Sequence, residues 1–120
     1  MFYVIFLLII LLLLVSLLYN QNNNNNKFYI ASSTINGLGV FTKYNILKNT
    51  ILLEAIDKDK NVTKLGSKIN HCNNPNTELI KINNKWFLTS IKNIDMDSEI
   101  TADYNNTPDF IKKADSSWSC

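Results

Sequence analysis

Hydrophobic residues are concentrated at the N-terminal end of the chain. Residues 1–19 contain one polar side chain, Ser16, and no charged residue. A helix of this length spans about 28 Å at about 1.5 Å per residue, close to the hydrocarbon thickness of a bilayer. Phe2, Tyr3 and Tyr19 lie near the two ends, where aromatic side chains favour the membrane interface. The pattern predicts a single-pass transmembrane anchor that contacts the lipid bilayer through residues 1–19.

A cleaved signal peptide is the alternative to an anchor, but the apolar run exceeds the usual length of about 7–15 residues. The residues that follow it also lack a small-x-small cleavage site. The first positive side chain is Lys27, so the positive-inside tendency places the C-terminal domain on the cytoplasmic side. Glycosylation sequons at Asn61 and Asn105 leave a lumenal glycoprotein as a further alternative.

The apolar run is followed by an abrupt change in composition. Residues 20–27 include five consecutive Asn, which cannot bury apolar surface, so a disordered tether is predicted there. From residue 28 to residue 120, short apolar segments alternate with turn-forming residues, which is typical of one small domain. The chain therefore divides into an anchor, a tether and a domain at residues 28–120.

Within the domain, the pattern predicts many short strands. Strands are expected at 28–30 and 51–55, a turn that enters a strand at 36–41, and a hairpin at 78–91 that turns at Asn83-Asn84. Residues 57–64 are expected to form a charged loop and residues 66–76 an irregular segment. Thr107-Pro108-Asp109 is typical of a helix start, and predicts a short C-terminal helix through Ala114. The domain is expected to be mainly β.

Composition excludes several functional classes. The chain has 19 Asn, 15 Ile and 12 Lys, no Arg, and a net charge of +2. This balanced charge and the absence of Arg argue against nucleic-acid binding. Two Cys are too few for a disulfide-rich scaffold or a four-Cys zinc site, and one His excludes a multi-His metal site.

Three segments carry possible chemistry, although each has a structural explanation when taken alone. Gly37-Leu38-Gly39 allows a sharp turn and a close approach to the main chain. Asn70-His71, followed by Pro75-Asn76, could hold a ligand or brace a loop. The segment 98–104 ends in Asp103-Tyr104, where the tyrosine could be a buried anchor.

In order and spacing, these segments resemble the SET-domain family of lysine methyltransferases. Asn36–Thr42 resembles the Gly-x-Gly opening of the family, and Asn45–Ile51 the segment that follows it. Asn70-His71 with Pro75-Asn76 resembles the Asn-His signature, and 98–104 the closing Asp-Tyr motif. The resemblance implies a β-clip fold of short curved sheets. In this fold the closing segment passes through a loop beside the Asn-His motif and forms a pseudoknot.

The resemblance also implies an activity, the transfer of a methyl group from S-adenosylmethionine to the ε-amine of a protein lysine, for example in a histone tail. The cofactor would be held by the backbone of Gly37, Leu38 and Gly39 and by Asn70 and His71. Tyr104 would be the catalytic residue that orients the amine. Glu99 and Asp103 would have structural roles. The implied enzyme is tethered to a membrane.

The sequence departs from the family pattern in two places. The zinc cluster of some relatives needs more Cys than Cys72 and Cys120 provide, so no zinc is expected, and Phe110 or Trp118 would cover the cofactor instead. About fourteen residues separate Ala55 from Asn70, where most relatives carry a longer insert that forms a wall of the substrate groove. A degenerate SET scaffold that acts as a non-catalytic binding module is therefore the alternative function.

Overall fold

The computed structural model describes the backbone of residues 1–120 and the side chains of residues 1–18 and 26–120. It contains one α-helix, seven strands and two 3₁₀-helical turns. The helix is α1 (Phe2–Asn25), and the 3₁₀ turns are Gly66–Lys68 and Tyr104–Asn106. The strands are β1 (Phe28–Ser32), β2 (Leu38–Thr42), β3 (Ile51–Ile56), β4 (Asn70–His71), β5 (Thr77–Ile82), β6 (Lys85–Ser90) and β7 (Glu99–Ala102).

The strands form one curled sheet in the order β1-β2-β7-β5-β6-β3, and β4 pairs with β7 outside this path. The pairs β1–β2, β2–β7, β5–β6 and β3–β6 are antiparallel. β7 runs parallel to β4, with Asn70 opposite Thr101 and His71 opposite Ala102. The closing strand therefore lies directly beside the Asn70-His71 segment, which is the proximity that the resemblance implies.

The predicted β character of the domain is confirmed, and the β5–β6 hairpin is its clearest element. Asn83 and Asn84 form the turn with φ angles of 50° and 63°. Asn tolerates this left-handed conformation better than most residues, and a turn with two positive φ angles matches the twist of paired strands. The pairing of Ile82 with Lys85 then fixes the register of the hairpin.

The core lies where the central strands meet. Val40, Leu88 and Ile100 are almost completely inaccessible to solvent. Two buried hydroxyl groups also belong to it. Thr77 donates to the carbonyl oxygen of Thr101 at 2.7 Å, and Ser90 donates to that of Leu47 at 2.7 Å. A buried polar group without a hydrogen-bond partner is energetically costly. These two bonds therefore favour a single arrangement of the strands and loops around the core.

The predicted transmembrane anchor over residues 1–19 is wrong. Among the residues whose side chains are described, no helix is long and apolar enough to cross a membrane. The expected single-pass localisation, with the domain facing the cytoplasm, is contradicted by the same finding.

α1 also continues beyond the apolar run. It reaches Asn25 and so includes most of the Asn-rich segment at 20–27, for which the composition predicts disorder. Extending an existing helix adds one hydrogen bond for each residue that is ordered, whereas starting a helix is costly. An Asn in a helix costs less than about 1 kcal/mol relative to Ala, so α1 can extend through several of them.

The predicted C-terminal helix at 107–114 does not form. The segment contains a single turn, in which the Ile111 N–H donates to the carbonyl oxygen of Pro108 at 2.9 Å. The hydroxyl of Thr107 does not cap a helix but donates to the Tyr104 carbonyl oxygen at 2.6 Å. A helix of only about seven residues forms few hydrogen bonds to offset the cost of nucleation, which explains the irregular conformation.

Candidate active site

A polar pocket of about 590 Å³ lies at the junction of the three sequence motifs. One side is the turn before β2, another is the segment from Ser67 to His71, and the C-terminal residues 117–119 complete the rim. Its lining consists of Ile35, Asn36, Gly37, Leu38, Ser67, Lys68, Asn70, His71, Tyr104, Ser117, Trp118 and Ser119. This volume lies within the range of about 300–1,000 Å³ that is typical of ligand sites.

Asn70 connects the motifs. Its Nδ2 donates to the carbonyl oxygens of Asn36 and Leu38 at 3.0 and 3.2 Å, and to Oε2 of Glu99 at 3.2 Å. Since all three partners are acceptors, the orientation of the amide is fixed and Oδ1 is the remaining polar atom. Within residues 1–18 and 26–120, no group donates a hydrogen bond to this oxygen. Asn70 therefore offers the pocket a free acceptor on a rigid support.

The two glycines of the first motif have different roles. Gly37 lines the pocket and has a φ angle of 47°, which favours glycine over residues with a Cβ. Gly39 is outside the pocket lining, and a Cβ at this position would lie 2.6 Å from Oε1 of Glu99. Gly39 thus makes room for the carboxylate that accepts from Asn70. The resemblance implies that the backbone of Gly39 helps to hold the cofactor, and in the structure Gly39 is not among the residues that line the polar pocket.

His71 is buried and uses both ring nitrogens within the protein. Its Nδ1 accepts from the backbone N–H of Tyr104 at 3.0 Å, so Nε2 carries the proton and donates to Oδ1 of Asn73 at 2.8 Å. In this tautomer the ring is neutral, and Asp103 Oδ1 at 3.7 Å from Nδ1 forms no ion pair with it. His71 therefore fixes the backbone at Tyr104 and presents its ring as part of the pocket wall.

Tyr104 separates the polar pocket from a second, apolar pocket. It lines both of them, and its hydroxyl donates to the carbonyl oxygen of Ile69. Burial raises the pKa of the Tyr104 phenol above its ordinary value near 10. The hydroxyl is therefore protonated at neutral pH and acts there as a hydrogen-bond donor.

The apolar pocket has a volume of about 290 Å³. Side chains from β3, β5 and β6 form its base, and the C-terminal segment forms one edge. Its lining consists of Ala55, Ile56, Val62, Gly66, Ser67, Ile69, Leu79, Leu88, Ala102, Tyr104, Thr107, Ile111 and Lys112. The short loop after β3 was not expected to supply a wall, yet Ile56 and Val62 form an isolated β-bridge and line the pocket. The aromatic residues at positions 29, 41, 44, 86 and 87 line neither of these two pockets.

Of the two aromatic residues expected to cover a cofactor, the structure brings only Trp118 to the pocket. Its ring packs edge-on to Tyr104, with a centroid distance of 6.2 Å, and is 6.4 Å from the ring of His71. Phe110 lies elsewhere, beneath the ammonium of Lys60 at 5.6 Å. The predicted helix would have positioned Phe110, and that helix is absent.

A disulfide between Cys72 and Cys120 is the main feature of the site that the sequence did not predict. Two cysteines 48 residues apart in the sequence give no spacing signal. Ser67 and Lys68 were also missed, because the segment 66–76 was expected to be irregular. A 3₁₀ turn and β4 instead hold that segment against the pocket.

Comparison with known proteins supports a methyltransferase fold. No family model matches the chain, and no curated protein matches it. Among proteins of known structure, 128 chains match. One is a Plasmodium falciparum protein described as a candidate histone methyltransferase, with a TM-score of 0.55 and 25% sequence identity. The match covers 68% of this chain and 95% of that protein, so the domain resembles a SET-type methyltransferase over nearly the full length of its neighbour.

Proposed function

We propose that this protein transfers a methyl group from S-adenosylmethionine to the ε-amine of a lysine in a protein substrate. The observation that carries the proposal is the position of Tyr104 between a polar and an apolar pocket. A methyl transfer to lysine needs two different compartments that meet at the reacting atoms: one for a polar, charged cofactor and one for an aliphatic side chain. The structural neighbour described as a candidate histone methyltransferase supports a histone tail as the first substrate to test.

The polar pocket fits the chemistry of S-adenosylmethionine. Oδ1 of Asn70 is a free acceptor for the ammonium of its amino-acid part, and the backbone at Gly37 and Leu38 allows close approach. The rings of His71, Tyr104 and Trp118 lie close together at this pocket, and the π face of an aromatic ring attracts a positive charge such as a sulfonium. When bound, this cofactor supplies a methyl group that is already activated by attachment to a sulfonium.

The apolar pocket suits the lysine side. Its lining packs against an aliphatic stem, and removal from water lowers the pKa of an amine, which favours the neutral form that can attack. Where the pockets meet, the Ile69 carbonyl oxygen and the Tyr104 hydroxyl oxygen can accept hydrogen bonds from that amine. These groups would orient the amine and limit its motion, which is the main contribution expected from a protein when the donor is already activated.

Tyr104 is better suited to positioning than to general-base catalysis. Its pKa is raised by burial, so the phenolate is scarcely populated at neutral pH and cannot accept a proton efficiently. The hydroxyl instead holds a fixed place through its bond to Ile69, while His71 fixes the backbone of the same residue. The proton lost by the lysine ammonium would pass to solvent before transfer.

The direct test of activity is transfer of a labelled methyl group. The full chain is incubated with methyl-tritiated S-adenosylmethionine and either core histones or a protein extract, and the products are hydrolysed to amino acids. Label in methyl-lysine supports the proposal. Label in no protein, from a chain that binds S-adenosylmethionine, would favour the alternative of a non-catalytic SET scaffold.

Replacement of Asn70 with Ala should weaken S-adenosylmethionine binding about 10-fold. The change removes the free acceptor Oδ1 and also the three bonds that connect the turn before β2 to Glu99. Calorimetry measures the dissociation constant, with Asn74→Ala as the matched control because Asn74 is an exposed residue of the same segment. Equal affinity in the Asn70 and Asn74 variants would exclude Asn70 from the cofactor site.

A further inference from the structure

Ile111 of the C-terminal segment packs against the hydrophobic core, whereas the residues after it are attached mainly at the end of the chain. Residues 107–120 form no helix or strand, and their backbone hydrogen bonds are local turns, such as the Trp118 N–H to the Asp115 carbonyl oxygen at 3.0 Å. Asp115 also accepts from the backbone N–H and the hydroxyl of Ser117 at 2.9 and 2.8 Å. These bonds shape the segment but do not attach it to the sheet.

The disulfide provides that attachment at a rigid point. Cys72 is buried and directly follows His71, and its N–H donates to the Ala102 carbonyl oxygen at 3.0 Å. The Cα atoms of Cys72 and Cys120 are 5.2 Å apart, which lies within the range that a disulfide can bridge. The end of the chain is thus covalently fixed to the strand segment that lines the polar pocket.

The three residues before Cys120 are the ones that complete the pocket. Ser117, Trp118 and Ser119 all line it, and Trp118 is 41% exposed even with the segment in place. Its aromatic and cation contacts are an edge-on contact with Tyr104, a tilted contact with His71, and the ammonium of Lys112 at 5.9 Å. Each such contact contributes only about 0.5–1.5 kcal/mol, which is little to order a segment of this length.

We infer that the Cys72–Cys120 disulfide positions Trp118 as a wall of the cofactor pocket, so that tight cofactor binding requires the oxidised chain. The inference rests on the proposed function. Cys72 and Cys120 are positioning residues in this scheme, because they act through Trp118. The pocket then responds to the thiol–disulfide balance around the protein.

The redox step is a thiol–disulfide exchange. A dithiol reductant, such as dithiothreitol, breaks the S–S bond by thiolate attack through a mixed disulfide. Two electrons and two protons pass from the reductant to the protein, giving two cysteine thiols, and the reductant becomes a cyclic disulfide. Reoxidation of the two cysteine thiols needs a small-molecule disulfide, such as oxidised glutathione, which is reduced to two thiols.

Affinity measurements in two redox states and two sequences test the inference. Calorimetric titration of the full chain with S-adenosylmethionine should give a dissociation constant about 10-fold higher after reduction. Trp118→Ala with the disulfide intact should show a similar increase, and its reduction should add less than about 2-fold. If the disulfide only stabilised the fold in general, reduction would weaken binding by the same factor in the wild type and in Trp118→Ala, and the inference would be overturned.

A second readout does not depend on the cofactor. The chain has two Trp residues, so Trp86→Phe leaves Trp118 as the only tryptophan. Reduction should make its fluorescence about 2-fold more sensitive to quenching by acrylamide, while far-UV circular dichroism stays unchanged. Unchanged quenching would overturn the inference. If the reduced chain unfolds, an oxidised Trp118→Ala variant with wild-type affinity would overturn it.

The failure of the inference and that of the proposed function give different results. Equal binding of S-adenosylmethionine to oxidised and reduced chains contradicts the role of the disulfide and leaves the proposed function intact. No binding by the folded, oxidised chain contradicts the proposed function and, with it, the inference.

Discussion

Replacement of Tyr104 with Phe should lower the rate of methyl transfer about 100-fold. The substitution keeps the ring that packs against His71 and Trp118 and removes only the hydroxyl. That hydroxyl bonds to Ile69 at the junction of the two pockets, where the amine is expected to be oriented. Loss of one preorganised hydrogen-bonding group in an active site typically costs a factor of about 100–1,000 in turnover.

A single-turnover assay with saturating S-adenosylmethionine measures this effect separately from cofactor affinity, which should change by less than about 3-fold. Tyr44→Phe is the matched control, since Tyr44 is exposed and lines neither the polar nor the apolar pocket. A Tyr104→Phe variant that is folded, binds the cofactor and transfers methyl groups at the wild-type rate would remove Tyr104 from the mechanism.

The pH dependence should follow from the same residue. Because burial raises the pKa of Tyr104, the hydroxyl is protonated throughout the neutral range. When the pKa of a group is higher in the folded chain, its protonation favours the folded state. For Tyr104 this contribution to folding stability is fully present below the pKa of the unfolded chain, near 10, and is lost as pH rises through the pKa of the folded chain. We therefore expect no loss of activity attributable to Tyr104 below pH of about 10.

Reduction of the Cys72–Cys120 disulfide should lower the free energy of unfolding by about 4 kcal/mol. In the chain-entropy account, a disulfide restricts the unfolded chain, and the restriction grows with the loop that it closes. The separation of 48 residues leads to this magnitude at 25 °C. The effect is large for a small domain, whose total stability is usually about 5–15 kcal/mol.

Urea titrations of the oxidised and reduced chains measure this difference directly. The double variant Cys72→Ala, Cys120→Ala should match the reduced chain, and added reductant should leave its unfolding curve unchanged. A difference of less than about 1 kcal/mol between oxidised and reduced chains would contradict the expected stabilisation.

Much of the domain could be predicted from local signals. The β5–β6 hairpin has apolar runs on both arms and an Asn-Asn turn, so its position follows from the 78–91 sequence. The proximity of Asn70-His71 to 98–104 was accessible only through the resemblance, because β4 has two residues and no periodicity of its own. Tertiary pairing with β7, not propensity, makes that segment a strand.

The incorrect predictions of the membrane anchor and of the C-terminal helix concern elements that must reach a minimum length. The apolar run at 1–19 fits a membrane span by hydropathy, yet among the residues whose side chains are described no helix is long and apolar enough to cross a membrane. The segment at 107–114 begins with residues that favour a helix N-terminus, but it is too short for its hydrogen bonds to offset the free-energy cost of helix nucleation. The cysteine pairing could not be predicted, since a disulfide depends on the distance between Cα atoms that only the fold determines.

The measurement that tests the account most directly is a calorimetric titration of the full, oxidised chain with S-adenosylmethionine. We predict one site per chain with a dissociation constant on the order of 10 μM, since cofactor and substrate affinities usually lie between about 1 μM and 1 mM. Affinity should fall in Asn70→Ala and not in Asn74→Ala. A folded, oxidised chain that gives no binding heat at millimolar S-adenosylmethionine would contradict the assignment of the polar pocket and the proposed function.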